Sequence, residues 1–199
     1  KEKDISVVNT SDADIVAAYK AAGTTALVPW NPQLSEILNG NPDATLVFDS
    51  SKIPGEIIDM TVINTAVLKK SPEFAKAVVG AWFETMSIMA KNDAPGKEAR
   101  TYMGKASGTD LPGYDKQLKT TRMFYGPAEA ATFIESADLV KTMDLVRTFS
   151  FDHGILGEGA KSADVVGIEF PGGKTLGDKN NIKLRFSSEF VRLAARGKL

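Results

Sequence analysis

Trp30-Asn31-Pro32 lies between the apolar run 25–28 and a helix-forming stretch that ends at Leu38, and its residue types and spacing suit the recognition of a small molecule. An indole supplies an apolar wall, or a cation–π face worth on the order of 2 kcal/mol to a desolvated cation. The Asn31 amide supplies donors and an acceptor side by side. Residues 26–28 are too few for a buried helix, and Pro29 biases Val28 towards an extended backbone, so the run predicts a strand. Pro32 suits a first helical turn, and Asn31 suits the cap before it. Trp30 and Asn31 are thereby expected at the C-terminal end of a strand, where open α/β sheets bind their ligands. The same residues also read as a core aromatic and a helix cap, and the motif by itself leaves both readings open.

A second loop has similar chemistry. Thr10, Ser11 and Asp12 follow the strand-like run 5–8 and precede a helix that Gly23 stops. All three are good N-cap types, and in a parallel arrangement their spare polar groups face the same rim as Trp30. Trp30 with Asp12 or Asp59 suits a cationic ligand, whereas the amides of 11–14 and 31–33 suit an anion. Elsewhere the chemistry is thin. The glycines of 154–159 lack the Lys-Ser/Thr of a phosphate loop, and they do not link a strand to a helix. Asp152 and His153, between phenylalanines and glycine, read as a loop anchor rather than half of a triad, because no nucleophile sits in a recognisable elbow. The pairs Asp12/Asp14 and Glu56/Asp59 have no spacing that specifies acid–base work.

Composition narrows the field further. The 199 residues, 43% hydrophobic, are enough for a packed core. Twenty-four basic against 25 acidic residues, with no long run of either sign, give no footprint for nucleic acid. There is no cysteine, which excludes disulfides and thiolate catalysis, and the single histidine excludes a multi-histidine metal site. No apolar stretch reaches the roughly 20 residues that span a bilayer, and the opening residues show no secretory segment.

The elements that must position these groups follow from pattern. Strands are expected at 5–8, 26–28, 44–48 and 57–63, with helices between the first three, so that 5–48 reads as β-α-β-α-β with a parallel sheet. Ser71-Pro72-Glu73 opens a long helix in which Phe74, Val78, Ala81, Trp82, Met86 and Met89 recur at helical spacing as a core stripe. Further helices are expected at 94–106, 114–121, 128–133, 137–149 and 188–196, with a short extended stretch at 123–125 and a Gly-rich loop at 154–181. The expected division is an α/β lobe with its hinge strand at 1–64 and a mainly helical segment at 65–199. The amphipathic helices outnumber the surfaces available to bury them, which leads us to expect that the chain is part of a longer protein or is completed by another chain.

Ala26-Leu-Val-Pro-Trp-Asn-Pro32 after a strand, together with the helix 71–89 and its mid-helix Trp82, resembles the substrate-binding proteins of ABC importers. The nitrate, sulfonate and taurine branch, with its urea- or guanidine-related members, is the most similar. Residues 120–125 and 149–154 are also similar to that branch, while Asn31 stands where its members often carry Asp or Glu. The resemblance implies a periplasmic-binding-protein type II-like α/β fold in which two lobes close like a Venus flytrap. This chain would supply one βαβ lobe plus C-terminal helices returning to a first lobe that is missing. It implies a solute-binding protein rather than an enzyme, periplasmic or membrane-anchored outside the cell, whose partners are a small polar ligand and an ABC permease. The membrane is met only through that permease or a lipid anchor. No catalytic residue, cofactor or metal is implied. Thr10, Ser11, Asp12, Trp30 and Asn31 are the expected ligand contacts, with Phe124 or Tyr125 closing an interlobe cleft. The alternative is a small-molecule enzyme resembling thiamin-pyrimidine synthases, or a regulatory effector domain, on the same scaffold.

Overall fold

The computed structural model describes residues 5–199, of which about half are helical, with a small mixed sheet, an α/β composition in the general sense. The described chain falls into two compact units, one formed by residues 5–52 and 97–121 and the other by 53–96 and 122–199. This division crosses the chain at three points and does not coincide with the expected boundary at 64/65.

The first unit holds α1 (Ile15–Lys20), α2 (Gln33–Gly40) and α6 (Leu111–Leu118). The greater part of α5 (Ala94–Ala106) also belongs to it. Helix α6 begins three residues earlier than its expected start. The Asp110 side chain accepts from the Gly113 amide at 2.8 Å, and Pro112 occupies the first turn, where its missing N–H costs nothing. The runs 5–8, 26–28 and 44–48 are not strands of a sheet. None of them pairs with a neighbour among the described residues, and Val28 and Val47 are 93% and 91% exposed. The expected parallel sheet over 5–48 is therefore absent. β-prone residues form a strand only where a neighbour supplies both ladder hydrogen bonds and a face to pack on, and these runs have neither.

The second unit contains α3 (Thr65–Lys70), α4 (Pro72–Met89), α7 (Pro127–Ile134), α8 (Ala137–Asp152) and α9 (Glu189–Ala195). Its sheet consists of β1 (Gly167–Glu169), β2 (Thr175–Leu176) and β3 (Ile182–Arg185) in the order β2-β1-β3. β1 and β2 are antiparallel with Ile168 opposite Leu176, and β1 and β3 are parallel with Ile168 opposite Leu184. Two of these strands lie inside the stretch expected to be a Gly-rich loop. The glycines there serve close packing. A Cβ on Gly167 would lie 2.2 Å from the Asp178 carbonyl oxygen, and one on Gly177, whose φ is +73°, would lie 2.1 Å from that of Val166.

Leu139 and Met143 of α8 pack on Ile168 and Phe170 to form the core, with Phe133, Leu176, Leu184 and Phe186 around them. The stretch 57–63 is again unpaired, although Ile58 joins this core. The stripe on α4 is only partly core: Met86 and Met89 are buried, but Phe74 and Trp82 stay about half exposed. Glu135, just past α7, ties α9 down. One carboxylate oxygen accepts from the Ser188 hydroxyl at 2.6 Å, and both oxygens accept from the Arg192 guanidinium. These donors hold the Glu135 carboxyl down at about 2, well below the ordinary carboxylate range.

Candidate functional site

The first unit brings the two loops of interest together. The Gln33 amide, in the first turn of α2, donates from Nε2 to the Asp12 carbonyl oxygen at 3.3 Å, linking the loop before α1 to the loop before α2. Thr10, Ser11, Asp12, Trp30 and Asn31 therefore lie in one neighbourhood of one unit. Trp30 is 60% exposed and the Asn31–Pro32 peptide bond is cis.

None of the five acts as a side-chain helix cap. Pro32 occupies the cap position of α2 and Asp14 that of α1, neither with a side-chain cap bond. Asn31 is committed elsewhere. Its Oδ1 accepts from the Ser35 hydroxyl at 2.8 Å, one helical turn on, and the Ser35 oxygen in turn accepts from Gln117 Nε2 of α6 at 3.3 Å. Helix α6 is itself held by Arg100 of α5, a buried guanidinium whose Nε donates to Asp115 Oδ1 at 2.8 Å. A run of polar contacts thus leads from α5 through α6 and α2 to Asn31.

This wiring gives the rim a chemical polarity. With Oδ1 engaged by Ser35, the Asn31 amide retains its Nδ2 protons, which have no partner among the described residues. On the other loop the hydroxyls donate inward: Ser11 Oγ to Asp14 Oδ2 at 2.6 Å, and Thr10 Oγ1 to the Val8 carbonyl at 3.4 Å. Their lone pairs and the Asp12 carboxylate are left as acceptors. An exposed indole therefore stands beside a donor on one loop and acceptors on the other.

No family model, curated protein or solved structure matches the chain. The site is accordingly described on its own geometry.

Phe124 and Tyr125 belong to the second unit. Phe124 packs on Phe133, ring centroids 5.1 Å apart, beneath the Arg122 guanidinium at 5.3 Å. His153 caps the end of α8, stacked on Phe149 at 3.8 Å with Nδ1 2.9 Å from the Phe149 carbonyl oxygen, a local anchoring role. Among the described residues no three acidic or histidine side chains gather as a metal site, and no helix is long and apolar enough to cross a membrane.

The residues that reading the sequence missed are Gln33, Ser35 and Gln117. Ser35 was within reach, since i and i+4 on a helix share a face. The other two act across 21 and 82 residues, and nothing local marks them.

Proposed function

We propose that this chain is the solute-binding component of an ABC importer, with a periplasmic-binding-protein type II-like fold and a periplasmic or extracellular, membrane-anchored location. It takes a small polar molecule of the nitrate, sulfonate, taurine, urea or guanidine class and delivers it to a membrane permease. The observation that carries the reading is the juxtaposition of the Thr10–Asp12 loop with Trp30 and Asn31 through the Gln33–Asp12 hydrogen bond. Small-molecule sites combine an apolar wall with a few placed polar groups, and this rim supplies both. Trp30 is the wall, Asn31 donates to an acceptor on the ligand, and Thr10, Ser11 and Asp12 accept from its N–H or O–H groups. Binding proteins of this kind work by population shift, as the ligand favours the closed state that the permease recognises, and no covalent step is required.

The test is a thermal-shift screen of the protein against urea, guanidinium, nitrate, taurine and alkylsulfonates, with Trp30→Ala as control. A ligand-specific rise in Tm that the variant loses is expected. A rise that survives the substitution removes Trp30 from the site, and no rise with any of these solutes counts against the reading.

A further inference from the structure

The second unit contains a cavity of about 590 Å³, within the usual size range for small-molecule sites. Thr10, Ser11, Asp12, Trp30 and Asn31 are not among its lining residues, whereas Phe124, one of the expected ligand contacts, packs against its wall. Phe133 and Leu139 give it an apolar surface, and Arg122, Glu129, Asp138 and Thr142 give it polar ones. The charges are not consumed by one another. Asp138 is engaged by Lys141 at 3.2 Å, one turn along α8. Arg122 and Glu129 line the same cavity, yet neither has an ion-pair partner among the described residues. The guanidinium is placed by the aromatic pair, lying over Phe124, which packs on the cavity wall at Phe133.

A cation and an anion that line one cavity without pairing with each other, together with apolar surface, match a ligand that carries both charges. A simple anion would meet Glu129 with its charge unmatched, and a simple cation would meet Arg122 likewise. We propose that this cavity binds a small zwitterion of the ω-amino acid type. Arg122 takes the carboxylate, for which its planar fork is suited, Glu129 takes the ammonium, and Phe133 covers the methylenes. No residue of the rim that contains Trp30 is part of this lining.

Isothermal titration of the protein with β-alanine, γ-aminobutyrate and 5-aminovalerate tests this, with propionate and propylammonium as singly charged controls. At least one of the three zwitterions binds, about tenfold or more tighter than either control, as expected where two charge-assisted contacts act together. Arg122→Gln and Glu129→Gln each weaken it about tenfold, and Thr142→Phe, which puts a ring into the cavity, weakens it as well. All these side chains except Thr142 are exposed at their outer ends, so unchanged unliganded Tm values are expected for the first two variants. Trp30→Ala leaves the titration as it was. The proposal is overturned if none of the three binds, if propionate binds as tightly as the zwitterions and Glu129→Gln has no effect, or if Trp30→Ala removes the binding.

Discussion

The two units are held together by different means. In the second, buried apolar side chains from α8 and from β1 and its flank meet in one cluster, with Leu139 only 1% exposed at its centre. In the first, Ile37 is the one buried large apolar side chain among the described residues, at 3% exposure, and the rest of the scaffold depends on polar ties: Arg100 to Asp115, Gln117 to Ser35, Ser35 to Asn31 and Gln33 to Asp12. Apolar packing tolerates small displacements but falls sharply when volume is removed, whereas hydrogen bonds at a surface each contribute little and fix direction. The unit that carries the candidate rim is therefore the one whose geometry is set by oriented polar groups. The contrast is open to direct tests.

The largest effect belongs to the packed unit. Leu139→Ala is expected to cost about 2–5 kcal/mol, the range for removing a fully buried leucine side chain. Hydrogen exchange is the informative measurement, and amides of α8 and the three-stranded sheet should lose protection. If they do not, the cluster around Leu139 is not what holds that unit.

The matching variant in the polar unit is Arg100→Met, which keeps the aliphatic stem and deletes the guanidinium. Asp115 is left 40% exposed and can hydrate, so the expected cost is about 1–3 kcal/mol, that of a charged hydrogen bond rather than of a stranded buried ion. Protection should fall in α5 and α6. A larger loss than that of Leu139→Ala would reverse the ranking of the two units.

These differences also explain what could be read in the sequence. The helices were legible because each carries its own signal: Ser71-Pro72-Glu73 before α4, Gly126-Pro127 before α7, Ser136 before α8. Strands carry no such self-sufficient signal. Residues 44–48 have the composition of a strand but no partner, whereas β1 is three residues long and is a strand because β2 and β3 flank it. The sign that could have revealed this sheet is the turn Phe170-Pro-Gly-Gly-Lys174 followed by the alternation Ile182-Lys-Leu-Arg185. At the rim, the residue types at 10–12 and 30–31 were readable, but their wiring was not. Which way the Asn31 amide is committed depends on Ser35 and, behind it, on a glutamine 82 positions further along.

A smaller effect comes from a charged latch of the packed unit. Glu135 is held at about 2 by Arg192 and Ser188, against an ordinary value of 4.5. A depressed carboxylate stabilises the fold above its unfolded value, and that contribution is lost as pH falls from about 4.5 towards about 2. The Tm of the native protein should therefore drop across that window more steeply than that of Glu135→Gln. The gap between the two should be widest near neutrality and close at the acid end. Parallel curves would mean that the latch contributes nothing.

The smallest effect tests whether polar wiring, rather than packing, sets the chemistry of the rim. Ser35→Ala removes a single oxygen from a half-buried side chain, so little change in Tm is expected. It does free Asn31 Oδ1 and Gln117 Nε2 together, and the Asn31 amide can then present either its oxygen or its nitrogen outwards. A ligand acceptor that had met a committed donor now meets a rotor, and the net worth of one such bond, about 0.5–1.5 kcal/mol, is at stake. For whichever solute in the thermal-shift screen stabilises the native protein most, affinity should fall about two- to tenfold, and Gln117→Ala should show the same trend more weakly. Guanidinium, which has donors but no acceptor, separates the two possible settings of the amide. If guanidinium is the solute that binds the native protein, and Asn31→Ala weakens it, then Ser35 holds Asn31 the other way round and the amide oxygen faces the ligand.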